Sequence, residues 1–486
     1  MSTALIGLIF FFAMMILVFL GVPVFISMLA ASAAGFLVIM GGNPAMMLTQ
    51  FTAGIYNLGA NYNYAVLPLF SLVGALVGET GIAEGAFDCF HKWLAKVKGG
   101  LLYTVVCANA VFGACSGSSI AGNIVFGKLS LPELRRRGYD ERLSLGCIAA
   151  SGALSTLIPP SMGILMFCII APSPIEVNGQ SIAISVGTAL SGGIVPGLLT
   201  AIALCLTVRL VGLFRKGSLP DRGGTTYTLM EKLAGLRFLV PILILFGLII
   251  GGTMLGWFTA TVGGAVGAAA CLIYAAIRRL PLKKVWNCIV DAAIMEAGIF
   301  PIIIGGQIFS RFVSLSGLAD YLSNAIASLN APPFVVFLLV MLLYTFCGCV
   351  MDMMSIIIIT VPVVFPILCG LGYSPYAIII SLCFMMEIAG LTPPIGMNVF
   401  ATSNALRVSP SKVFSGVWPF FICEVAMVVI IAFIPSLVTW LPDMIAAGRG
   451  WVAGAIIGGL LVLLLVWMIL ADVLHTAGKQ NKATAE

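Results

Sequence analysis

Three places in this 486-residue sequence put polar chemistry inside an otherwise apolar chain. Residues 113–123, Gly-Ala-Cys-Ser-Gly-Ser-Ser-Ile-Ala-Gly-Asn, set three hydroxyls, an amide and three glycines where a membrane helix ordinarily carries Leu or Val. A turn at membrane depth exposes carbonyl oxygens, and carbonyls with Ser oxygens form the hard-oxygen cage that a dehydrated sodium ion requires. Gly and Ser also let helices pack closely, so close packing is the competing reading. Two further stretches carry a double proline, Leu157-Ile158-Pro159-Pro160-Ser161 after Ser155-Thr156, and Leu391-Thr392-Pro393-Pro394 before Asn398. Paired prolines break a helix, and the freed backbone groups must be buried in protein or line a cavity. The half-helix ends then offer carbonyls to a cation and amides to an anion.

Asp352 is an acid in the middle of an apolar segment. An ionisable residue at the bilayer centre costs about 2.5–3.5 kcal/mol on insertion scales, which makes it a functional candidate. It either ligands sodium or caps a hairpin turn, and the two roles are compatible. Glu387 faces a cavity or pairs with a neighbour, whereas Glu296 and Glu424 are expected to meet polar groups of the scaffold.

These features recur at one offset. Phe112, Cys115, Pro132, Gly138, Tyr139, Leu157, Pro159 and Pro160 match Phe346, Cys349, Pro366, Gly372, Tyr373, Leu391, Pro393 and Pro394, each 234 residues later. Corresponding interrupted segments in two halves of a hydrophobic chain point to the binding site of a transporter.

The elements that must position these residues follow from composition and charge. Hydrophobic residues make up 61% of the chain and charged ones 9%, far below the roughly 25% of a soluble domain, so the chain is a polytopic all-α membrane protein. Spans are expected near 4–20, 22–40, 62–80, 140–171, 185–208, 238–256, 257–277, 290–313, 376–405, 416–440 and 451–471. These eleven crossings place the N-terminus outside and the C-terminus in the cytoplasm, with 21 of 24 basic residues in cytoplasmic connections. Residues 100–134 and 333–368 are apolar but centrally interrupted, and read as re-entrant hairpins they preserve the charge pattern. With five crossings in the first half, the second is inserted upside down: an inverted repeat, each half holding a hairpin and a broken helix. The first repeat is 1–220 (hairpin 100–134, broken helix 140–171) and the second 221–446 (hairpin 333–368, broken helix 376–405). A further apolar helix and polar tail occupy 447–486. Amphipathic stretches 81–96, 225–237, 283–293 and 315–328 are expected to lie at the interface as bracing helices. The first helix lacks the basic start of a signal peptide and is expected to be retained.

Enzyme chemistry lacks its parts. The only histidines are His91 and His475, no Gly-x-x-x-x-Gly-Lys-Ser/Thr phosphate loop is present, and the basic clusters are loop charges rather than a nucleic-acid surface. The thirteen cysteines contain no CxxC and read as small buried hydrophobes.

On Gly113-Ala114-Cys115-Ser116-Gly117-Ser118-Ser119, Leu157-Ile158-Pro159-Pro160-Ser161, Gly348-Cys349-Val350-Met351-Asp352 and Gly390-Leu391-Thr392-Pro393-Pro394, the chain resembles the large membrane subunit of tripartite ATP-independent periplasmic (TRAP) transporters over about residues 1–445. The resemblance implies the ion transporter superfamily fold and a sodium-driven elevator in the bacterial inner membrane. It also implies a small four-helix membrane subunit and a soluble periplasmic binding protein that delivers an organic acid, with no cofactor beyond sodium as coupling ion. Carried onto this chain, it assigns Ser116, Ser118, Ser119, Ser155, Gly348, Cys349, Asp352 and Thr392 to sodium. Asn123, Thr156, Pro159, Pro160, Pro393, Pro394 and Asn398 are assigned to the substrate. A stand-alone sodium/anion symporter of the same architecture, needing no binding protein, is the alternative reading.

Overall fold

The computed structural model describes residues 2–459 except 178, 216, 221–226, 329–330, 349–350 and 394–395. The chain is an all-α membrane protein whose single sheet among the described residues is a two-stranded ribbon. The first half runs α1 (Thr3–Phe19), α2 (Val24–Ile39), α3 (Pro44–Ala60), α4 (Val66–Glu79), α5 (Ile82–Leu94), α6 (Gly100–Ser116), α7 (Ser119–Arg136), α8 (Glu141–Ser151), α9 (Leu154–Leu157) and α10 (Met162–Ile170). The ribbon β1 (Ile175–Val177) and β2 (Gln180–Ile182) leads into α11 (Val186–Gly192) and α12 (Ile194–Phe214). The second half runs α13 (Leu229–Leu236), α14 (Val240–Phe246), α15 (Gly252–Met254), α16 (Ala260–Ile277), α17 (Leu282–Ser316), α18 (Leu318–Ser328), α19 (Pro333–Gly348), α20 (Met353–Gly370), α21 (Pro375–Ala389), α22 (Met397–Leu406), α23 (Pro410–Phe433) and α24 (Ser436–Ala446).

The repeat seen in the motifs extends to these elements. Helix α7 begins at residue 119 and α20 at residue 353, and α8 at 141 and α21 at 375, each pair 234 residues apart. Packing repeats as well, and reciprocally: α10 lies against α20 while α22 lies against α7, and α17 lies against α2 while α4 lies against α16. Two helical hairpins (α6–α7 and α19–α20) and two broken helices (α8–α10 and α21–α22) thus form an interlocked inner unit. Helices α1, α2, α4, α16 and α17 form the scaffold beside it, where Phe10, Phe36, Phe309 and Phe312 meet edge to face or tilted.

Every expected span holds a helix or a broken helix, the last described only to Gly459, so the polar tail lies outside the described residues. The first broken helix bends by 45° at its double proline. Three local expectations need correction. Residues 283–293 are not a separate interfacial helix but the first turns of α17, 35 residues and so about 52 Å long. No glycine or proline interrupts that stretch before Gly298, so the ladder simply continues. Residues 44–60, assigned no span, form α3, which meets the 62–79 segment at 53°. The kink falls at Asn61, whose side chain accepts from the amide of Asn63 and so offers the backbone an alternative to the helix. At the matching positions of the second repeat stand Met295, Glu296 and Ala297, which leave α17 intact. The span 416–440 divides at Ile434 and Pro435 into α23 and α24, proline supplying no amide for the ladder.

Candidate functional site

The first hairpin turns in two residues. Helix α6 ends at Ser116, and Gly117 takes a left-handed conformation (φ 59°) that a side chain would strain. Ser118 then caps α7, its Oγ accepting from the amide of Ala121 at 3.3 Å. The second hairpin is capped at the matching position, 234 residues later: Asp352 accepts from the amide of Ser355 at 3.1 Å and from its hydroxyl. A hydroxyl cap at one tip and a carboxyl cap at the other distinguish the two hairpins.

Each tip docks on the break of its own half. A side chain at Gly113 would lie 2.7 Å from Cα of Ser155, and one at Gly348 would lie 3.3 Å from the backbone of Ala389, the residue 234 positions after Ser155. Gly117 sits over the carbonyl of Pro160 and Met162. At the first break, Ser161 caps α10 through the amide of Ile164. At the second, Asn398 reaches back from α22: its amide donates to the Glu387 carboxylate at 2.7 Å and its backbone N–H to the carbonyl of Gly390 at 3.0 Å. The Glu387 carboxylate also accepts from Ser119 of the first tip. One buried acid therefore ties tip one to break two.

Both tips and both breaks open on one cavity of about 650 Å³. Of the residues assigned to sodium or substrate, it is lined by Ser116, Ser118, Ser119, Thr156, Gly348, Asp352 and Asn398, and Glu387 lines it beside them. The other assigned residues that the structure describes do not line it. Asn123 is buried between α7 and α8, donating to the carbonyl of Ala149 at 3.1 Å, so its expected contact with substrate is replaced by a helix-packing role. Ser155 lies behind the tip with no hydrogen-bond partner for Oγ among the described residues. Thr392 donates to the end of its own helix at Ala389, and Pro159, Pro160 and Pro393 form the breaks themselves. Cys349 and Pro394 lie outside the described residues.

The remaining wall comes from the scaffold. Ser71, Glu79 and Asp291 reach the cavity from α4 and α17, and Glu79 pairs with Lys284 at 2.9 Å. Just behind them, Ser71 donates to Glu296 at 2.6 Å, the scaffold partner expected for that acid. Sequence reasoning missed Glu79 and Asp291 because each sits at the end of an expected span, 62–80 and 290–313, where an acid is unremarkable. The lining thus carries four acids, Glu79, Asp291, Asp352 and Glu387, and no Lys, Arg or His among the described residues. Seven methionines complete it, among them Met162, Met351, Met353 and Met386, whose unbranched side chains adapt to varied apolar surfaces. Such a cavity suits cations directly, and admits an anion once cations accompany it.

The family model described as the DctM component of the tripartite ATP-independent periplasmic transporter matches residues 11–437. The C4-dicarboxylate TRAP transporter large permease protein DctM of Rhodobacter capsulatus is 28% identical over 453 residues, covering 90% of this chain and 99% of that one. The isethionate TRAP transporter permease protein DctMQ of Oleidesulfovibrio alaskensis is 27% identical over 431 residues, which are 88% of this chain and 64% of that longer one. The solved YdaH transporter of Alcanivorax borkumensis has the same fold, with a TM-score of 0.59 at 13% identity over 81% of this chain and 89% of that one.

Proposed function

We propose a function from one premise: the chain belongs to the DctM family, the large permease component of TRAP transporters, and is a membrane transporter subunit. It imports an organic acid, coupled to sodium, by carrying the cavity across the membrane with the inner unit. A small four-helix membrane subunit holds the scaffold, and a periplasmic binding protein delivers the substrate. The chain sits in the bacterial inner membrane with its N-terminus periplasmic and its C-terminus cytoplasmic. Relatives named for a C4-dicarboxylate and for isethionate, a sulfonate, support an organic anion as the class.

The observation that carries the reading is the single cavity at which both tips, both breaks and four acids meet. Carboxylates and turn oxygens attract sodium, whose charge then makes the same cavity hospitable to an anion. Ser116, Ser118, Ser119, Gly348 and Asp352 are the proposed ion ligands at the tips, with Ser155 and Thr392 behind them. Thr156 and Asn398, at the breaks, face the substrate. Glycines on the scaffold favour sliding: Gly74 lies against the backbone of Ser116, and Gly306 against Ile358 of the second hairpin. The test is uptake of radiolabelled C4-dicarboxylates and isethionate into proteoliposomes holding the chain with its small subunit and binding protein. An inward sodium gradient should drive uptake without ATP. Uptake driven by ATP in the absence of an ion gradient overturns the reading, and uptake by the chain alone favours the stand-alone symporter.

A further inference from the structure

Glu424 lies outside the cavity and in the wrong company for a charge. It sits on the inward stripe of α23 between Phe420 and Met427, with Val413, Val417, Val428 and Ile431 along the same face. Its side chain is fully buried, and neither carboxylate oxygen has a hydrogen-bond partner among the described residues, against the expectation that it meets scaffold polar groups. A buried polar group without partners is rare, and a buried unpaired charge rarer.

The helices around it supply no counter-charge at its level. From α21 the facing group is Glu387, another acid, and Cys383 is the further thiol of that helix. From α8 it is Cys147, while Glu141 and Arg142 lie at the far end of that helix. There the backbone of Arg142 crosses Gly416, eight residues and about 12 Å from Glu424 along α23. From α12 come Cys205 and Thr207, the latter hydrogen-bonded to Cys423, while Arg209 is two residues and so about 200° around the helix from Thr207. Helix α22 contains no ionisable residue.

We propose that Glu424 is a proton-binding site buried between the first halves of the two broken helices, its carboxylate taking up one proton to become a neutral acid. Glu387 connects it to the cavity, because Glu387 faces Glu424 on one side and bonds to Ser119 and Asn398 on the other. The contact of α23 with the two broken helices therefore holds a proton apart from any ion at the tips. This inference concerns the proton alone and stands whether or not sodium is the coupling ion.

Infrared spectroscopy of the purified full-length chain in lipid tests it. Near neutral pH the wild type should show the carbonyl stretch of a protonated carboxylic acid, shifted in D2O. Glu424→Gln should lose that band, and Glu387→Gln should displace it without abolishing it. Should Glu424→Gln fail to fold, the doubly substituted Glu387→Gln/Glu296→Gln chain keeps the question answerable, because the band must persist there. Absence of a protonated-acid band in the wild type, or its persistence in full in Glu424→Gln, overturns the proposal.

Discussion

Asp352 allows the two roles of a hairpin tip to be separated by substitution. Its carboxylate caps α20 through the amide and hydroxyl of Ser355, and it faces the cavity, where it is a proposed sodium ligand. Removing the cap costs about 0.5–2 kcal/mol of stability, the usual loss when a capping oxygen is replaced by Ala. Replacing Asp by Ser preserves a cap, as Ser118 demonstrates at the matching position of the other tip. The charge is a different quantity. A unit charge 4 Å from sodium at an effective dielectric near 20 contributes about 4 kcal/mol, most of it offset by the water the ion gives up. A net loss of about 1.4–2.8 kcal/mol corresponds to a ten- to hundredfold weaker apparent sodium affinity. Asp352→Ser should therefore melt near the wild type yet require ten- to hundredfold more sodium, whereas Asp352→Ala should lose both stability and sodium affinity. Thermal unfolding in detergent and sodium titration of uptake read the two quantities separately. Wild-type sodium affinity in Asp352→Ser would refute the ion-ligand role and leave Asp352 a cap.

Three further outcomes are expected. Asn398→Leu removes the donor to a buried carboxylate, so uptake at low substrate should fall by about ten- to a hundredfold, the equivalent of about 1.5–3 kcal/mol for a hydrogen bond to a charged group, measured as uptake rate against substrate concentration. Gly416→Ala would drive a methyl group into the carbonyl of Arg142 where α8 and α23 cross, backbone against backbone; about 1–3 kcal/mol of destabilisation should appear as a lower melting temperature. At the base of the inner unit, Arg135 and then Lys412 hold the Glu141 carboxyl below the ordinary range. Because its folded value is depressed, the stability it adds is present above the unfolded value and lost as pH falls through the folded one. Glu141→Gln should accordingly flatten the acid limb of the melting-temperature profile, and an unchanged limb would contradict the assignment.

What could be read from the sequence was whatever the chain states locally and twice. The hairpins, the breaks and their 234-residue spacing lie in Gly-Ser and Pro-Pro runs whose backbone consequences are short-range. The kink at Asn61 was harder, since a single Asn competes weakly with a helix and its counterpart Met295 does not compete at all. The site's finer wiring was not legible: Ser119 meets Glu387, and Asn398 returns to Glu387, only because the repeats interlock. Nor could spacing distinguish Asn123, which faces helix α8, from Thr156, which faces the cavity, although both lie in polar segments of the same half.

In the proposed mechanism the two tips of one cavity bind sodium and move together against the scaffold. Ser118 and Met353 both line that cavity, one at each tip. The direct test introduces Ser118→Cys and Met353→Cys separately, in a background where Cys288, which shares the cavity, is replaced, and follows labelling by a membrane-impermeant thiol reagent from each face. Sodium, and not potassium, should change the labelling of both positions in parallel and from the same face. Labelling that ignores sodium, or that changes at one tip while the other stays constant, would contradict the account.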